Sequence, residues 1–367
     1  MYTAIGLKKK GSPIGYVKCI IWITHLLLYL ISGIFLFVFV WFLAIEIRYS
    51  NRQCHPYNQS FDLPLVNLWN VSTKLRLNHY QVHGSHNSYT SSLTHQLTHG
   101  IRQFELDIHL TLSSNDQFAV YHLQLVDDKT VCYCLRECLT QIFKWIRENS
   151  THFTIYLFIE IKSMIYEDLR VGVIGVKCKH LELVKQYFLD IFTNLILPDQ
   201  IQGNYSTVTE ALKQQKLDEM RNDYDYHGYG WLPLELSIGK IIPVFLDDAH
   251  NRADNIPCLT SSPDLEHRFF FIAQSHLDRS YSAIVSIGNP LSIENERQVN
   301  ESLSEGKLVR ILAYNKEQYK RVVNLGVHII SIDYNENDNY APSFICNKRT
   351  APPFCLTQNL SNHLNLL

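Results

Sequence analysis

The feature that most constrains this chain is a long apolar run near its N-terminus, from Ile20 to Ile45. It reads IIWITHLLLYLISGIFLFVFVWFLAI and contains no Asp, Glu, Lys or Arg. A helix needs about 20 mainly apolar residues to cross the core of a bilayer, whereas the apolar part of a cleaved secretory signal has only about 7–15. The sequence therefore predicts an uncleaved transmembrane anchor over residues 20–45, and a cleaved signal is the alternative.

Charges on the two sides of this run predict its orientation. They are Lys8, Lys9, Lys10 and Lys18 before it, and Glu46, Arg48 and Arg52 after it. Because basic residues favour the cytosolic side, we expect a cytosolic tail over residues 1–19 and a lumenal or extracellular location for the rest. The chain is then a single-pass type II membrane protein with a stalk over residues 46–75 and a globular domain over residues 76–367.

Cysteines and glycosylation sequons beyond the anchor fit an oxidising compartment. The cysteines are Cys54, Cys132, Cys134, Cys138, Cys178, Cys258, Cys346 and Cys355. The sequons begin at Asn58, Asn70, Asn149, Asn204, Asn300 and Asn359. An even number of cysteines in a lumenal domain indicates disulfides, although their pairing is open and free buried thiols are the alternative. We expect a disulfide-bonded glycoprotein.

Strand and helix patterns alternate through the globular part. The strand-like segments are the approach to His83, then Ile101–Leu110, Phe118–His122, Phe153–Ile161, Ile241–Leu246, Phe269–Ala273, Leu308–Leu312 and Val327–Ile330. Apolar residues recur at helical spacing between several of them, as in Cys132–Glu148. About eight strands with intervening helices predict a TIM-type (β/α)8 barrel, which follows the N-terminal transmembrane helix in the sequence. An open doubly wound sheet is the alternative.

Composition excludes two classes of ligand. The formal net charge is −2, and no stripe of Lys and Arg suited to a phosphate backbone is present, so a nucleic-acid partner is not expected. Neither glycine-rich loop that binds nucleotide phosphates, G-x-G-x-x-G or G-x-x-x-x-G-K-[ST], occurs, so a nucleotide cofactor is not expected either.

Four polar groups of residues are the candidates for chemistry. The stretch HGSHNSY (83–89) packs two imidazoles, an amide, two serine hydroxyls and a phenol into one turn after the first strand. Glu105 and Asp107 stand two apart on the second strand and so share a face. Two such buried acids need a cation, or one of them must be protonated. A solvent-facing strand is the alternative.

His122 and Glu160 complete the set. His122 ends the strand-like segment FAVYH, and Glu160 lies near the end of the most apolar strand, with Lys162 two residues on. A structural ion pair between Glu160 and Lys162 is the alternative to a ligand role. The active site of a barrel lies at the C-terminal ends of its strands, so we expect all four groups around one mouth.

The donor types indicate the chemistry of such a site. Oxygen ligands from Asn87, Glu105, Asp107 and Glu160 suit Ca²⁺ or Mg²⁺ and do not suit zinc. Two histidines, His86 and His122, remain for proton transfer or for stabilising developing charge. A divalent cation with two histidines is typical of phosphodiester cleavage.

These motifs resemble a known family. GSHNSY (84–89), RQFELDIH (102–109), VYH (120–122) and FIEIK (158–162) are similar to the catalytic barrel of phosphoinositide-specific phospholipases C, above all to the calcium-dependent bacterial and fungal type. A weaker resemblance extends over residues 78–350. The resemblance implies Ca²⁺ as cofactor and a membrane phospholipid as substrate.

The resemblance also implies a role for each site residue. Catalytic residues would be His86, His122 and Glu105; calcium ligands would be Asn87, Glu105, Asp107 and Glu160; and phosphate contacts would come from Lys162 and Arg310. In the implied reaction the inositol 2-hydroxyl attacks phosphorus with Glu105 as base. His86 stabilises charge on the phosphoryl group, and His122 protonates the diacylglycerol oxygen. His83 has no role in this scheme and is interpreted as structural.

Two other functions are weighed against this one. A glycerophosphodiester phosphodiesterase also uses histidines and acids on a barrel, but such enzymes open with His-Arg-Gly, and this chain has His-Gly-Ser-His-Asn. A membrane-tethered binding protein without activity is the third hypothesis, and the complete set of histidines and acids argues against it.

Overall fold

The computed structural model describes residues 13–50, 74–111, 118–123, 126–162, 173–174, 178–246, 268–274, 282–288, 292–334 and 344–357. It divides into two compact units, Met1–Gln53 and Cys54–Leu367. Most of the predicted tail and stalk, the cysteines Cys54 and Cys258, and the sequons at Asn58, Asn70 and Asn359 lie outside the described residues.

The first unit contains one long helix, α1 (Pro13–Ser50). Its segment Ile20–Ala44 is long and apolar enough to cross a membrane, with a mean hydropathy of 2.7. Apolar side chains such as Trp22, Tyr29 and Phe35 are exposed around the helix, and a helix that is apolar all round is typical of a membrane span. By length and composition the helix fits the predicted anchor, although a signal sequence near an N-terminus has the same properties.

Strands of the second unit close a barrel. The described strands are β1 (Tyr80–His86), β2 (Gln103–Thr111), β3 (Phe118–Val120), β4 (Ile155–Ile161), β5 (Val173–Ile174), β6 (Ile241–Leu246), β7 (Phe271–Gln274), β8 (Ile284–Ile287), β9 (Leu308–Ala313), β10 (Ile329–Asp333) and β11 (Phe344–Cys346). Parallel pairing runs through β1, β2, β4, β6, β7, β8, β9 and β10, and β10 pairs back with β1. This eight-stranded parallel barrel confirms the predicted fold.

Helices accompany the strands. The described ones are α2 (Leu93–Thr98), α3 (Leu135–Glu148), α4 (Cys178–Ile191), α5 (Pro198–Gln202), α6 (Val208–Met220), α7 (Leu234–Ser237), α8 (Ile293–Ser304), α9 (Lys316–Asn324) and α10 (Pro353–Thr357). In α3, apolar residues at helical spacing, such as Leu139 and Phe143, are buried against the outer face of β2 and β4.

The strand prediction was wrong at two places. The pattern predicts a barrel strand over Phe118–His122, but β3 covers only Phe118–Val120 and pairs antiparallel with β2, outside the barrel. The barrel strand missing from the prediction is β8, whose four residues IVSI form too short a run to stand out. Glu160 therefore lies on the third strand of the barrel and His122 follows no barrel strand.

Alternation along β2 turns the two acids inward. Leu106 and Ile108 pack into the outer core with α3, so Glu105 and Asp107, on the opposite face, point into the barrel. Parallel pairing places Asp107 beside Glu160 of β4. The fold thus brings the acids of two strands together, as the spacing predicted.

A glycine on β1 makes room inside the barrel. Gly84 pairs with Gln103 of β2, and a Cβ at this glycine would lie 2.0 Å from Gln103 Oε1. Any larger residue would displace the Gln103 side chain, so the glycine of the GSHNSY motif has a packing role.

The predicted disulfides are present among the described cysteines. Cys132 is bonded to Cys138, which ties the segment before α3 to that helix, and Cys346 is bonded to Cys355, which ties β11 to α10. Cys134 and Cys178 are also disulfide-bonded.

Candidate active site

Three buried carboxylates form the centre of the site. Glu105, Asp107 and Glu160 each offer an oxygen within 4.8 Å of the others, and their side chains are almost inaccessible to solvent. Burial, together with the charges of Glu160 and Glu105, raises the pKa of Asp107 well above its ordinary value. As the sequence predicts for adjacent buried acids, the cluster needs a cation beside it, or one of its carboxyl groups must be protonated.

Lys162 supplies part of the missing charge. Its Nζ lies 3.0 Å from Asp107 Oδ2 and 2.9 Å from Glu160 Oε1. Burial favours the neutral amine, but the two carboxylates outweigh it and raise the pKa of Lys162. The structural ion pair between Glu160 and Lys162 is thus present, and it coexists with the carboxylate cluster.

Asn87 joins the acids through a tyrosine. Its backbone has φ 45° and ψ 49°, a left-handed conformation that asparagine tolerates better than most residues. The Tyr89 hydroxyl lies 2.9 Å from both Asn87 Oδ1 and Asp107 Oδ2 and can donate to either. Tyr89 is fully buried, so it holds the amide of Asn87 beside the carboxylate of Asp107.

His86 lies at the end of β1 between two acids. Its Nδ1 is 2.8 Å from Asp333 Oδ1, and its Nε2 is 3.6 Å from Glu105 Oε1. Burial of the ring favours the neutral form, but the hydrogen bond to Asp333 and the charge of Glu105 outweigh it, so the pKa of His86 is raised. His83, by contrast, is buried on the outer face of β1, with its ring stacked on Tyr319 at 5.4 Å.

His122 follows an antiparallel excursion from β2 and not a barrel strand. Its neighbour Tyr121 donates its backbone N–H to the carbonyl of Asp107 at 3.3 Å, which brings the chain back to β2 beside the acids. The ring Nδ1 lies 2.9 Å from Asp127 Oδ2, and about a third of the side chain is exposed. A hairpin excursion from β2 therefore positions His122.

Arg310 of β9 is buried beside Glu105. Its guanidinium forms an ion pair with Glu105 and hydrogen bonds with Ser286 Oγ at 3.1 Å and Ser331 Oγ at 3.2 Å. It also lies over the ring of Phe158, 5.4 Å from the centroid. Arg310, the predicted phosphate contact, is therefore already held in place by its ion pair with Glu105.

A family model connects this geometry with known enzymes. The model, described as phosphoinositide phospholipase C, Ca²⁺-dependent, matches residues 111–347, which is more than half of the chain. The chain belongs to this family. The match begins after Glu105 and Asp107, so the placement of those residues in the site comes from the motifs and the geometry.

Solved structures of phosphoinositide phospholipases C share the fold. The calcium-dependent enzyme from a Gram-negative Pseudomonas species, in an apo form, has a TM-score of 0.51 and 15% identity over 71% of this chain and 90% of that one. The Ca²⁺-dependent enzyme from Streptomyces antibioticus has a TM-score of 0.51 and 12% identity over 71% and 95%. No curated protein matches the chain. At these identities the structural likeness shows the fold alone.

Membership of the phosphoinositide phospholipase C family makes the chain a phosphoric diester hydrolase by class, in a family that depends on Ca²⁺. The family's need for calcium agrees with a buried acidic cluster that could bind a metal ion.

Sequence reasoning missed three supporting residues. Asp333, which contacts His86, ends a barrel strand, and an acid at that position is a detectable signal. Tyr89 belongs to the HGSHNSY motif but has no role in the predicted site, and its bridge between Asn87 and Asp107 depends on the turn of the chain. Asp127 lies in an irregular segment whose sequence carries no periodic pattern.

Proposed function

We propose that this protein is a membrane-anchored, Ca²⁺-dependent phosphodiesterase that cleaves phosphatidylinositol-type lipids to diacylglycerol and an inositol phosphate. The observation that carries the proposal is the meeting of the acid cluster with His86 inside a barrel of this family. His86 stands between Glu105 of β2 and Asp333, with a raised pKa, at the C-terminal ends of β1 and β10.

The residues present fit a calcium ion. Glu105, Asp107, Glu160 and Asn87 offer only oxygen donors, which is the preference of Ca²⁺. Asp107 Oδ1 is buried and makes no hydrogen bond with any described residue. A buried carboxylate oxygen without a partner is costly, and a cation would relieve that cost. These four residues are therefore the proposed ligands.

When bound, Ca²⁺ would supply the charge that lowers the pKa of an attacking hydroxyl and neutralises the phosphoryl group. Glu105 is the proposed base, which accepts the proton of the inositol 2-hydroxyl as its oxygen attacks phosphorus. His86 donates its Nε2–H to a phosphoryl oxygen, because Nδ1 is occupied by Asp333. Lys162 and Arg310 are buried cations beside the acids that would contact the phosphate.

His122 is the proposed acid for the leaving group. Asp127 accepts a hydrogen bond from its Nδ1, which leaves Nε2 to carry the proton to the diacylglycerol oxygen. The bond from phosphorus to that oxygen breaks as the inositol oxygen attaches, so a cyclic inositol phosphodiester forms. Water then opens the ring to an inositol phosphate.

The proposed lumenal or extracellular orientation is supported by the described disulfides, since disulfides persist in oxidising compartments. Sequons at Asn149, Asn204 and Asn300 are exposed on the barrel unit. We expect the membrane-inserted protein to lose apparent mass on treatment with an N-glycosidase, and Asn204→Gln to lose one increment. Unmodified sequons in inserted protein would contradict this orientation.

A lipid-panel assay tests the activity. Full-length protein in detergent micelles with phosphatidylinositol should release diacylglycerol and inositol phosphate with Ca²⁺ and lose that activity with a Ca²⁺ chelator. His86→Ala and His122→Ala should each lose about 10²-fold or more, because general acid–base groups contribute 10²–10⁴-fold. His227→Ala, which removes an exposed histidine paired with Asp223, is the matched control.

The products separate the alternatives. Release of glycerol phosphate would favour the glycerophosphodiester enzyme. Folded protein that is inert with Ca²⁺ on every inositol lipid would favour the binding protein without activity.

A further inference from the structure

One buried histidine of β2 has no part in the proposed reaction. His109 lies two residues beyond Asp107, so strand alternation places its side chain on the same face of β2 as those of Glu105 and Asp107. The side chain is inaccessible to solvent. Because a buried polar group without a hydrogen bond is costly, the partners of this imidazole indicate what the residue does.

His109 holds the carbonyl group that directly precedes His122. Its Nε2 lies 2.9 Å from the backbone carbonyl oxygen of Tyr121, and a carbonyl can only accept, so Nε2 carries the proton and donates. The rings of His109 and Tyr121 also stack, with centroids 4.1 Å apart and planes inclined by 8°. The Tyr121 ring stacks in addition on Tyr133, with centroids 6.3 Å apart. A hydrogen bond and ring stacking thus fix Tyr121 against His109.

Fixing Tyr121 also fixes the start of His122. The atoms of a peptide unit are coplanar, so the Tyr121 carbonyl and the His122 Cα belong to one rigid plane. The Tyr121 N–H donates to the Asp107 carbonyl at 3.3 Å, so both backbone polar groups of Tyr121 are bound to β2. The ring of His122 is held separately, because its Nδ1 lies 2.9 Å from Asp127 Oδ2.

We propose that His109 is a positioning residue for His122. The inference rests on the proposed function, in which His122 protonates the leaving oxygen. A general acid must lie within hydrogen-bond reach of the atom that it protonates, so its backbone and its ring must both be placed. Asp127 places the ring, and His109 places the peptide unit that precedes it.

Two substitutions separate the ring of His109 from its hydrogen bond. His109→Phe keeps an aromatic ring that can stack on Tyr121 but has no N–H for the carbonyl. His109→Gln lacks the ring but keeps an N–H at nearly the position of Nε2. On phosphatidylinositol with saturating Ca²⁺, we expect His109→Phe to lower kcat by about 10²-fold with little change in KM, since a displacement of about 1 Å can cost that much. His109→Gln should restore most of this activity.

The leaving group distinguishes positioning of His122 from a general loss of structure. A nitrophenyl ester of inositol phosphate also forms the cyclic inositol phosphodiester, but it expels a weakly basic nitrophenolate that leaves without a proton. Its cleavage therefore needs Glu105 as base but does not need His122 as acid. We expect His109→Phe and His122→Ala to cleave this ester at rates close to native, whereas Asp107→Asn should lose both reactions. Equal losses on the two substrates in His109→Phe would overturn the proposal.

His83→Phe is the matched control. His83 is also buried and stacked on a tyrosine, with its ring centroid 5.4 Å from that of Tyr319, but it lies on the outer face of β1. This variant should cleave both substrates as native protein does, and thermal melts should show that each variant is folded. Should His109→Phe not fold, His109→Asn, with a side chain too short to reach the carbonyl, takes its place.

Activity of the native protein separates the two levels of inference. Native protein that cleaves neither substrate would overturn the proposed function together with the role of His109. Native protein that cleaves both, with an unchanged rate on phosphatidylinositol in His109→Phe, would overturn the role of His109 alone.

Discussion

At the mouth of the barrel, Asp107 is buried with one carboxylate oxygen unpaired among the described residues, and its pKa is raised. At the opposite end, Glu219 of α6 is also buried, but its oxygens meet four donors and its pKa is lowered to about 2. The donors are His79 Nε2 at 3.1 Å, Asn78 Nδ2 at 3.2 Å, Gln215 Nε2 at 2.7 Å and Lys216 Nζ at 3.3 Å.

We call Asn78, His79, Gln215 and Glu219 the floor network, because Asn78 and His79 immediately precede β1. Arg76 donates its backbone N–H to His79 Nδ1 at 3.0 Å, so the ring is neutral and donates from Nε2 to Glu219. Every polar group of this carboxylate is satisfied by the protein. At the mouth, Asp107 has an oxygen without a partner among the described residues, as expected where a ligand is to bind. At the floor, the hydrogen bonds of Glu219 stabilise the fold.

Asp107→Asn should have the largest effect on the candidate active site. The substitution removes one charge from the proposed calcium ligands, and we expect phosphatidylinositol hydrolysis to fall by about 10³-fold or more, since a metal ion supplies several kcal/mol of charge stabilisation. The free energy of unfolding should stay the same or rise, because a crowded buried charge is lost. Hydrolysis rates and urea unfolding measure the two quantities, and a destabilised but active variant would contradict this interpretation.

Glu219→Ala should have the opposite effect at the floor. Four donors would lose their acceptor, and breaking a buried ionic network costs about 3–5 kcal/mol of stability. Activity per folded molecule should remain close to native, as measured at a temperature where the variant is folded. Glu210→Ala, an exposed carboxylate on the same helix, is the control. Equal loss of stability in both variants would refute a special role for the floor network.

Low pH should lower the free energy of unfolding, because histidines that are buried in their neutral form near the floor network become protonated on unfolding. Burial lowers the pKa of His328 to about 3, and its Nδ1 accepts from Val309 N–H at 3.2 Å, a bond that protonation removes. Burial also lowers the pKa of His152 to about 4. Because the pKa of each histidine is lower in the folded state than in the unfolded state, the free energy of unfolding is unaffected by these groups above the unfolded pKa near 6.5. It falls as the pH drops below that value.

Between pH 7.5 and pH 5, linkage predicts a loss of about 2 kcal/mol from each of these two histidines. Urea unfolding across this range measures the change. His328→Gln keeps a polar side chain that does not titrate there, so its stability should depend less steeply on pH. A slope equal to that of the native protein would show that His328 does not titrate as inferred.

The same contrast explains how much the sequence could predict. Asp107 and Glu160 were placed together because strand alternation and parallel pairing are local rules that the sequence displays. The floor network was not predicted, since it joins His79 to Glu219 across 140 residues and through α6, whose polar pattern resembles a surface helix. Only the tertiary fold brings such a pair together.

His122 shows the limit at the mouth. Its inclusion in the site was predicted from its position after a supposed barrel strand, but β3 is an antiparallel excursion from β2. A three-residue strand is too short for its pairing direction to be read from its pattern. The backbone hydrogen bond from Tyr121 to Asp107 brings the chain next to His122 back to β2, and no sequence rule indicates this contact.

Asp333→Asn should have the smallest effect and reports on a single contact of the mouth. The hydrogen bond from His86 lowers the pKa of Asp333, and in return Asp333 raises the pKa of His86. An asparagine keeps a hydrogen-bond acceptor but lacks the charge. We expect hydrolysis at neutral pH to fall by about tenfold, the lower range for loss of an orienting partner.

The pH profile distinguishes loss of charge from loss of position. A raised pKa keeps His86 protonated to higher pH, so removing Asp333 should move the alkaline limb of the activity profile to lower pH. Asp127→Asn, the equivalent change beside His122, is the control, because it leaves the partners of His86 in place. If Asp333→Asn lowers activity by the same factor at every pH, the contact only positions the ring, and His86 does not act as the charged donor proposed here.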